Sequence, residues 1–351
     1  MTSAAGPDQD QDQDRGLAGT RVLVTGAAGF VGAHLSQRLL LEGAEVLGLD
    51  SFNSYYDPSL KRARVAALLD HPLCRVVETD LAEPGALAKA WSAFRPDHVV
   101  HLAAQAGVRY SLRDPRAYER ANLAGFLEVL EAARAHPVSQ LIYASSSSVY
   151  GASTRVPFRE DDPVDRPSSL YAATKRANEL MAHTYAHLFN LPLTGLRFFT
   201  VYGPWGRPDM AYWGFTEALH AGREIQVFNH GQVWRDYTYV DEIVEAIARL
   251  LRCPPQRADE PGRVVPEASH RLFNIGNDTP VAVGEMIDIL ERETGLQALR
   301  RNVPMQPGDV VRTWADVSAL RAAVGFAPQV SLATGLQRFV QWYREYHRLS
   351  P

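Results

Sequence analysis

The chain of 351 residues is poor in cysteine, has no long apolar run and carries no strong excess of charge of either sign. Its two cysteines, Cys74 and Cys253, are too few for a disulfide framework and lack metal-ligand spacing, which favours a reducing compartment and no bound metal. No apolar run approaches about 18 residues and no charged-then-apolar leader opens the chain, so we expect a cytoplasmic protein without a membrane partner. A net charge of -4 without a basic arm argues against nucleic acid as the partner.

The length and the hydrophobic content of 46% suit a large α/β domain with a second, smaller lobe. Residues 1–18 include alternating aspartate and glutamine without an apolar face, so we expect a disordered acidic tail. The first domain is expected over residues 19–199, with returning segments near 235–252 and 271–276. An interleaved lobe that binds the substrate is expected over residues 200–347.

A glycine-rich turn near the start of the chain follows a short β-branched run and precedes a helical pattern and a second strand. This order is typical of dinucleotide binding. The glycines Gly26, Gly29 and Gly32 let the backbone approach a pyrophosphate at the helix N-terminus, where free N–H groups attract anions. Asp50 ends the second strand, can accept hydrogen bonds from both ribose hydroxyls, and repels a 2′-phosphate. Since no arginine follows closely, the sequence favours NAD over NADP.

Strand and helix patterns keep alternating downstream, with strand patterns that begin near Cys74, His98, Gln140 and Leu193. Regular alternation predicts a doubly wound parallel Rossmann sheet, with its site at the carboxyl ends of the strands. Small residues over positions 103–107 would let a cofactor pass close to the backbone.

Two motifs near the middle of the chain carry the candidate chemistry. Tyr171 and Lys175 are four apart in a helical pattern, so they lie on one helix face. A phenol with a pKa of about 10 is a poor base at neutral pH, but a neighbouring ammonium and a positively charged nicotinamide each favour the phenolate. Upstream, Ser145 to Ser148 follow a strand at the place where ligands bind in open α/β sheets. Alone, either motif is common as a solvated helix face or as loop filler.

Taken together, these motifs resemble the extended short-chain dehydrogenase/reductase family of nucleotide-sugar enzymes. The glycine turn, the serine run, the Tyr171 and Lys175 pair and the run Arg235 to Tyr237 fall in that family's order, over about residues 20–347. The resemblance implies that Tyr171 is the catalytic base, that Lys175 binds the ribose and that Ser146 assists the tyrosine. It also implies tightly bound NAD as the cofactor, a UDP-sugar substrate and a homodimer.

The expected contacts form two groups. For the cofactor they are Gly26, Gly29, Phe30, Val31, Gly32, Asp50, Asn53, Asp80, Leu81, Leu102, Ala103, Ala104, Gln105, Asn122, Tyr171, Lys175 and Phe199. For the substrate they are Arg109, Ser146, Ser147, Ser148, Thr200, Arg207, Arg235 and Asp309.

The reaction is indicated by what the serine run leaves out. Related dehydratases carry an Asp-Glu pair where Ser147 and Ser148 stand, and related UDP-glucuronate decarboxylases carry a glutamate at the position of Ser148. Serine offers no usable acid near neutral pH, so C5 is left alone. The resemblance within the family is to enzymes that act on UDP-glucuronate. It implies C4 epimerisation to UDP-galacturonate through a transient 4-keto sugar, without decarboxylation.

A uronate oxidised at C4 is a β-keto acid, which loses carbon dioxide readily unless its carboxylate is held. The candidate holders are Ser147, Ser148, Thr200 and Arg207, since guanidinium pairs bidentately with carboxylate. A neutral-sugar epimerase would typically have asparagine where Thr200 stands. Two other interpretations stay open: an epimerase of a neutral UDP-hexose such as UDP-glucose, and a catalytically silent NAD-binding regulator.

Overall fold

The computed structural model describes residues 16–255, 269–305 and 310–349. The strands are β1 (Arg21–Thr25), β2 (Glu45–Asp50), β3 (Cys74–Glu78), β4 (His98–His101), β5 (Gln140–Ser146), β6 (Leu193–Phe198), β7 (Thr200–Tyr202), β8 (Glu224–Phe228), β9 (Trp234–Tyr239), β10 (His270–Ile275), β11 (Pro280–Ala282) and β12 (Leu299–Val303). The helices are α1 (Phe30–Leu41), α2 (Pro58–Leu68), α3 (Ala86–Phe94), α4 (Pro115–Tyr118), α5 (Gly125–Ala135), α6 (Leu170–Phe189), α7 (Ala211–His220), α8 (Val240–Leu251), α9 (Val283–Thr294), α10 (Ser318–Val324) and α11 (Leu332–His347). A π-helical stretch, Glu119–Ala124, joins α4 to α5.

Seven strands of the described residues form one parallel sheet, the main sheet, in the order β10-β6-β5-β4-β1-β2-β3. The strand order runs outward in both directions from β1 and β4, which makes a topological switch point between them. The prediction of a doubly wound parallel Rossmann sheet is confirmed. Ligands bind at such a switch point, outside the carboxyl ends of the strands.

Apolar layers cover both faces of the main sheet. On one face α1 and α8 contribute fully buried residues such as Leu35 and Ile247, and on the other α3 and α5 contribute Trp91 and Phe126. Leu17 joins the first layer with 4% of its surface exposed, so the tail expected over residues 1–18 ends before this residue. Residues 1–15 of that tail lie outside the described residues.

Two smaller sheets follow the main sheet along the chain. In the first, called the small sheet, β9 pairs in parallel with β7 and antiparallel with β11. In the second, β8 pairs in parallel with β12. Between them the chain returns to the main sheet, since β10 pairs with β6 and α8 packs on α1. The strand β9, at the start of the returning segment expected near 235–252, lies in the small sheet. Within the described ranges we find no helix with the length and apolarity needed to cross a bilayer.

Candidate active site

A cavity of about 470 Å³ opens at the carboxyl ends of β1, β4 and β5. This volume lies within the usual range for small-molecule sites, roughly 300–1,000 Å³. The sequence-predicted residues that line the cavity are Gly26, Gly29, Phe30, Val31, Gly32, Asp50, Asn53, Asp80, Leu81, Leu102, Ala103, Ala104, Gln105, Ser146, Ser147, Ser148, Tyr171, Lys175, Phe199, Thr200 and Arg207. Residues that are far apart in the sequence therefore share one pocket.

Asn122, a predicted cofactor contact, lies behind the cavity wall instead of lining it. Its side chain is 1% exposed and belongs to the π-helical stretch before α5. The amide oxygen accepts a hydrogen bond from the Gln105 backbone N–H at 2.8 Å, and the amide nitrogen donates to the Gln105 carbonyl and to Thr174 Oγ1, each at 3.0 Å. Asn122 thus fixes the segment after β4 and ties it to α6.

Two predicted substrate residues, Arg109 and Arg235, are also not among the residues that line the cavity. The Arg109 guanidinium lies 5.5 Å from the ring centroid of Phe228. Arg235 Nη1 donates to the Val310 carbonyl at 2.9 Å and so joins β9 to the segment before α10. Asp309 lies outside the described residues.

The glycine turn has no room for side chains. Gly26 has a φ of +70°, and a Cβ on this residue would lie 2.8 Å from the backbone nitrogen of Ala103. A Cβ on Gly32 would lie 2.1 Å from the Gly26 carbonyl oxygen. The helix α1 starts after Gly29 without a side-chain cap and without an acidic residue in its first turn. Its N-terminal N–H groups and their dipole therefore suit an anion such as a dinucleotide pyrophosphate.

Asp50 is paired with a lysine in the structure, whereas the sequence analysis treats it as an unpaired acid. Its Oδ1 accepts hydrogen bonds from the Phe52 backbone N–H and from Lys61 Nζ, both at 2.8 Å. Both members of this ion pair are nearly buried, with side-chain exposures of 4% for Asp50 and 9% for Lys61. The buried ammonium fixes the carboxylate and offsets its charge. Repulsion of a 2′-phosphate is therefore weaker than the acid alone predicts.

Tyr171 lies in the first turn of α6, which is capped by Ser169 through a 3.1 Å hydrogen bond from the Ala172 N–H. Burial raises the pKa of Tyr171 above its ordinary value, although a hydrogen bond with Ser146 and the charge of Arg207 both lower it. The protein by itself therefore keeps this phenol protonated at neutral pH. A further positive charge in the cavity is needed to turn the phenol into a base.

Lys175 lies one turn after Tyr171 and is 2% exposed. Its Nζ donates to the carbonyl of Ala144, in β5, at 2.8 Å. Burial lowers the pKa of Lys175 to about 8, although the charge of Glu179 on the next turn of α6 raises it. The ammonium is thus fixed by the end of β5, beside the serine run.

A buried ion pair lies beneath the serine run. Glu179 and Arg197, each 1% exposed, are joined by hydrogen bonds from Arg197 Nε at 2.8 Å and from Nη2 at 3.0 Å. Ser145 Oγ donates to the same carboxylate at 2.6 Å. The carboxyl end of β5 is therefore tied to α6 and β6, which positions the following serines opposite Tyr171.

Arg207 reaches the cavity with its guanidinium already paired. Its Nε donates to Asp209 Oδ1 at 2.9 Å and its Nη2 to Oδ2 at 2.8 Å, a bidentate pair with 27% exposure of each side chain. Tyr55, from the loop between β2 and α2, donates to Asp209 Oδ2 at 3.1 Å. Burial alone would raise the pKa of Asp209, but the charge of Arg207 together with the hydrogen bonds from Arg207 and Tyr55 outweighs burial and holds this pKa below its usual range.

Arg64 in α2 joins the glycine turn to the segment that carries Arg207. It is fully buried, and its guanidinium donates to the carbonyl oxygens of Ala28 at 3.1 Å, Trp205 at 2.9 Å and Gly206 at 2.7 Å. A buried guanidinium requires several acceptors, and here they come from both sides of the cavity. The position of Arg207 is thus set against the glycine turn.

The family model described as "NAD dependent epimerase/dehydratase family" matches residues 22–275. This chain belongs to the NAD dependent epimerase/dehydratase family. It is 50% identical to UDP-glucuronate 4-epimerase 3 of Arabidopsis thaliana over 335 residues, which cover 94% of this chain and 77% of that protein. It is 46% identical to the probable UDP-glucuronate 4-epimerase of Rhizobium meliloti (strain 1021), with coverage of 93% and 98%.

A solved structure supports membership in the epimerase/dehydratase family at the level of the fold. It is the UDP-glucuronic acid 4-epimerase from Bacillus cereus in complex with UDP-glucuronic acid and NAD. That chain is 31% identical to this one and superposes with a TM-score of 0.84, over 93% of this chain and 100% of its own. The resemblance to nucleotide-sugar epimerases that the sequence motifs indicate is confirmed.

In this member of the epimerase/dehydratase family, the sequence motifs identify side chains that line the cavity. They do not identify the side chains that fix those lining residues in position. The missed residues share one property, a polar contact with a predicted site residue or its neighbour; they are Tyr55, Lys61, Arg64, Glu179, Arg197 and Asp209. Two of them leave a signal, since Glu179 stands one turn after Lys175 and Asp209 two positions after Arg207. The others depend on contacts that spacing does not reveal.

Proposed function

We propose that this chain catalyses the C4 epimerisation of UDP-glucuronate to UDP-galacturonate, with NAD as a cofactor that stays bound and is regenerated in each cycle. The observation that carries the proposal is the shared cavity. It joins a glycine turn suited to a dinucleotide, Tyr171 with Ser146 and Lys175, and Arg207. The relatives named as UDP-glucuronate 4-epimerases support the choice of substrate.

The residues divide the work as follows. The glycine turn holds the pyrophosphate of the cofactor, Asp50 its adenosine ribose and Lys175 the ribose next to the nicotinamide. Bound NAD supplies a hydride acceptor and donor at C4 of the sugar. Tyr171 removes the proton of the 4-hydroxyl and later returns it to the alkoxide on the other face of the sugar. Ser146 stabilises the phenolate with a hydrogen bond.

The pKa of Tyr171 is the main energetic requirement of this proposal. Burial keeps the phenol protonated in the protein alone. From the ordinary phenol pKa of about 10, a decrease of about three units, roughly 4 kcal/mol, brings the phenolate within reach of neutral pH, and the burial of Tyr171 adds to this requirement. The positive charges of Arg207 and of the bound nicotinamide act in this direction, so the base forms only in the loaded site.

The carboxylate of the sugar needs restraint while C4 is a ketone. Decarboxylation requires the C5–C6 bond to align with the π system of the ketone. We propose that Ser147, Ser148, Thr200 and Arg207, which all line the cavity, hold the carboxylate away from that alignment. The two serines supply no acid or base for chemistry at C5.

We also propose that the segments of residues 200–347 outside the main sheet bind the UDP moiety beyond the cavity, with Arg109, Arg235 and Asp309 toward the diphosphate. Arg235 supports this arrangement, because its hydrogen bond to Val310 brings β9 against the segment next to Asp309. The two cysteines are both free, which favours a reducing compartment and a cytoplasmic enzyme.

A homodimer formed through α5 and α6 completes the proposal. These helices pack side by side, and Tyr185 of α6 donates to Glu131 of α5 at 2.5 Å. They expose Leu127, Leu180 and Leu188 by 41%, 52% and 62%. Several exposed leucines on adjacent helices are typical of a subunit interface.

The test is incubation of the purified protein with UDP-glucuronate and no added NAD. We expect UDP-galacturonate to accumulate to equilibrium with no more than a trace of UDP-pentose, and Tyr171→Phe to reduce the rate by about 10³-fold. UDP-glucose is the parallel substrate, and faster turnover of it favours the neutral-sugar epimerase. Reduced cofactor released on denaturation after exposure to either sugar excludes the catalytically silent regulator, whereas a protein that converts neither sugar contradicts any epimerase function.

A further inference from the structure

We propose that Asp209 is a positioning residue that shares Arg207 with the carboxylate of the substrate, and that Tyr55 holds Asp209 in place for this purpose. The inference rests on the proposed function, since it concerns how that site holds a uronate. It makes the retention of the carboxyl group on C5 depend on the Asp209 carboxylate, which does not itself contact the sugar.

The first step is the geometry of the guanidinium. Asp209 occupies the Nε and Nη2 edge of Arg207 with two hydrogen bonds of 2.9 and 2.8 Å. The donors on Nη1 remain, and the second N–H of Nη2 donates only to the weak acceptor Met210 Sδ at 3.7 Å, so these donors form the other bidentate edge of a planar fork. A substrate carboxylate therefore meets Arg207 from one fixed direction.

The second step is the charge. The charge of Arg207 holds the pKa of Asp209 below its usual range, so the pair carries no net charge at neutral pH. A lone arginine would attract any anion strongly and in several orientations. The paired arginine attracts the substrate carboxylate less strongly but binds it in a single orientation. A β-keto acid requires such a fixed orientation if it is not to lose carbon dioxide.

The third step is the restraint on Asp209 itself. Tyr55 donates to Asp209 Oδ2 at 3.1 Å, and its ring packs against Tyr110 with centroids 4.8 Å apart. A Cβ on Gly107 would lie 2.9 Å from the Tyr55 hydroxyl and 3.7 Å from Asp209 Oδ2. The contact between Tyr55 and Asp209 is thus enclosed by the segment after β4 on the cavity side.

Tyr56, next to Tyr55 in the chain, helps to fix the segment of Arg207 at its N-terminal side, through Arg64. Tyr56 accepts a hydrogen bond from Arg64 Nη1 at 2.7 Å, and Arg64 Nη2 binds the carbonyl of Gly206 at 2.7 Å. Arg207 therefore lies between two anchors, at Gly206 and at Asp209. Both anchors lead back to the loop and helix that follow β2.

The experiment measures product partition and KM in Asp209→Asn, which keeps the shape of the side chain and removes its charge. With UDP-glucuronate we expect the decarboxylated fraction per turnover, counted as carbon dioxide released, to rise about tenfold over wild type. In that side reaction the C5–C6 bond breaks, its electron pair enters the C4 ketone as an enolate, and C5 is then protonated.

The same variant gives a second readout that structural damage does not mimic. Because one negative charge next to Arg207 is removed, KM for UDP-glucuronate should fall by about threefold, whereas KM for UDP-glucose should not change. Damage to the site raises both KM values. The split between the two substrates therefore separates positioning from misfolding.

Tyr55→Phe is the second variant and Tyr110→Phe its matched control, because the Tyr110 hydroxyl donates to Asp114 at 3.4 Å and not to Asp209. We expect about a twofold rise in the decarboxylated fraction for Tyr55→Phe and none for the control. If Asp209→Asn fails to fold, an equal partition in these two tyrosine variants overturns the inference. An unchanged partition and KM in a folded Asp209→Asn also overturn it. If wild type forms no UDP-galacturonate at all, the proposed function fails instead.

Discussion

The two sides of the cavity are built in different ways. On the cofactor side, backbone groups do most of the work, because Gly26, Gly29 and Gly32 stand within seven consecutive residues and open directly into α1. On the sugar side, charged side chains do the work, and the groups that hold their segment in place are distant in sequence. Tyr55 and Asp209 are 154 positions apart, and Arg64 and Gly206 are 142 apart.

The difference shows which kind of site a local motif can specify. A backbone cradle needs only small residues in the correct order, and the order is visible in the chain. The carboxylate of Asp209 is only two residues from Arg207, but folding is needed to bring near the Tyr55 and Arg64 side chains that hold this segment. The two sides also meet at one place, the loop and helix after β2, which supply Lys61 to one side and Tyr55 and Arg64 to the other.

The largest effect is expected from a change to the backbone cradle. Gly32→Ala places a methyl group 2.1 Å from the Gly26 carbonyl oxygen, so the turn must shift. We expect protein purified without bound NAD and an activity loss of about 100-fold or more. Gly214→Ala in α7 is the matched control, because a Cβ there has no neighbour within 4 Å. Retention of NAD and activity by Gly32→Ala would show that the cofactor side does not depend on its backbone.

The cofactor side should also set the response of the fold to acid. Burial lowers the pKa of His101 to about 3, so between pH 3 and 6.5 the native state binds fewer protons here than the unfolded chain. The free energy of unfolding should therefore fall by about 2 kcal/mol between pH 6.5 and 5. Urea unfolding at several pH values measures this slope. His101→Gln should remove this part of the slope and leave the part that comes from His270, whose pKa burial lowers to about 4; His136→Gln, at an exposed position, should leave the slope unchanged.

The smallest effect concerns the pair that closes the cofactor side. Lys61→Gln removes the cation next to Asp50, so the carboxylate faces the ribose without an offsetting charge. We expect the preference for NAD over NADP to increase by about tenfold, with only a few-fold loss in NAD affinity. Titration of nucleotide-free protein with both cofactors measures this. Arg62→Gln, whose residue is exposed and next in the chain, is the control; a preference that changes equally in both variants would remove the role of Lys61.

Much of the fold could be predicted, because the repeating strands and helices follow local apolar patterns. The helix Val240–Leu251 and the strand that begins at Cys74 are visible in the sequence in this way. The tail boundary is less accessible, since the burial of Leu17 depends on α1 and the strand after it. A single leucine next to a disordered composition carries no periodic signal.

The candidate site could be predicted as a set of wall residues but not as a set of pairs. Tyr171, Lys175 and Ser146 follow from spacing and from their place at strand and helix ends. The ammonium on Asp50 does not, and the carboxylate on Arg207 leaves only its position two residues later as a signal; each partner weakens a charge argument made from one residue alone. Asn122 shows the same limit, because a polar residue next to the site can serve the backbone instead of the ligand.

The buried guanidinium of Arg64 has a consequence for exchanging parts between relatives. Its acceptors are carbonyls contributed by the glycine turn and by residues 205 and 206, so the positions of these two stretches of chain depend on each other. In a hybrid enzyme that takes only its C-terminal lobe from a relative, the carbonyls at positions 205 and 206 would no longer match the hydrogen-bonding geometry of Arg64. The portable unit of sugar recognition therefore includes the loop and helix after β2, even though they lie among the residues that cradle the nucleotide.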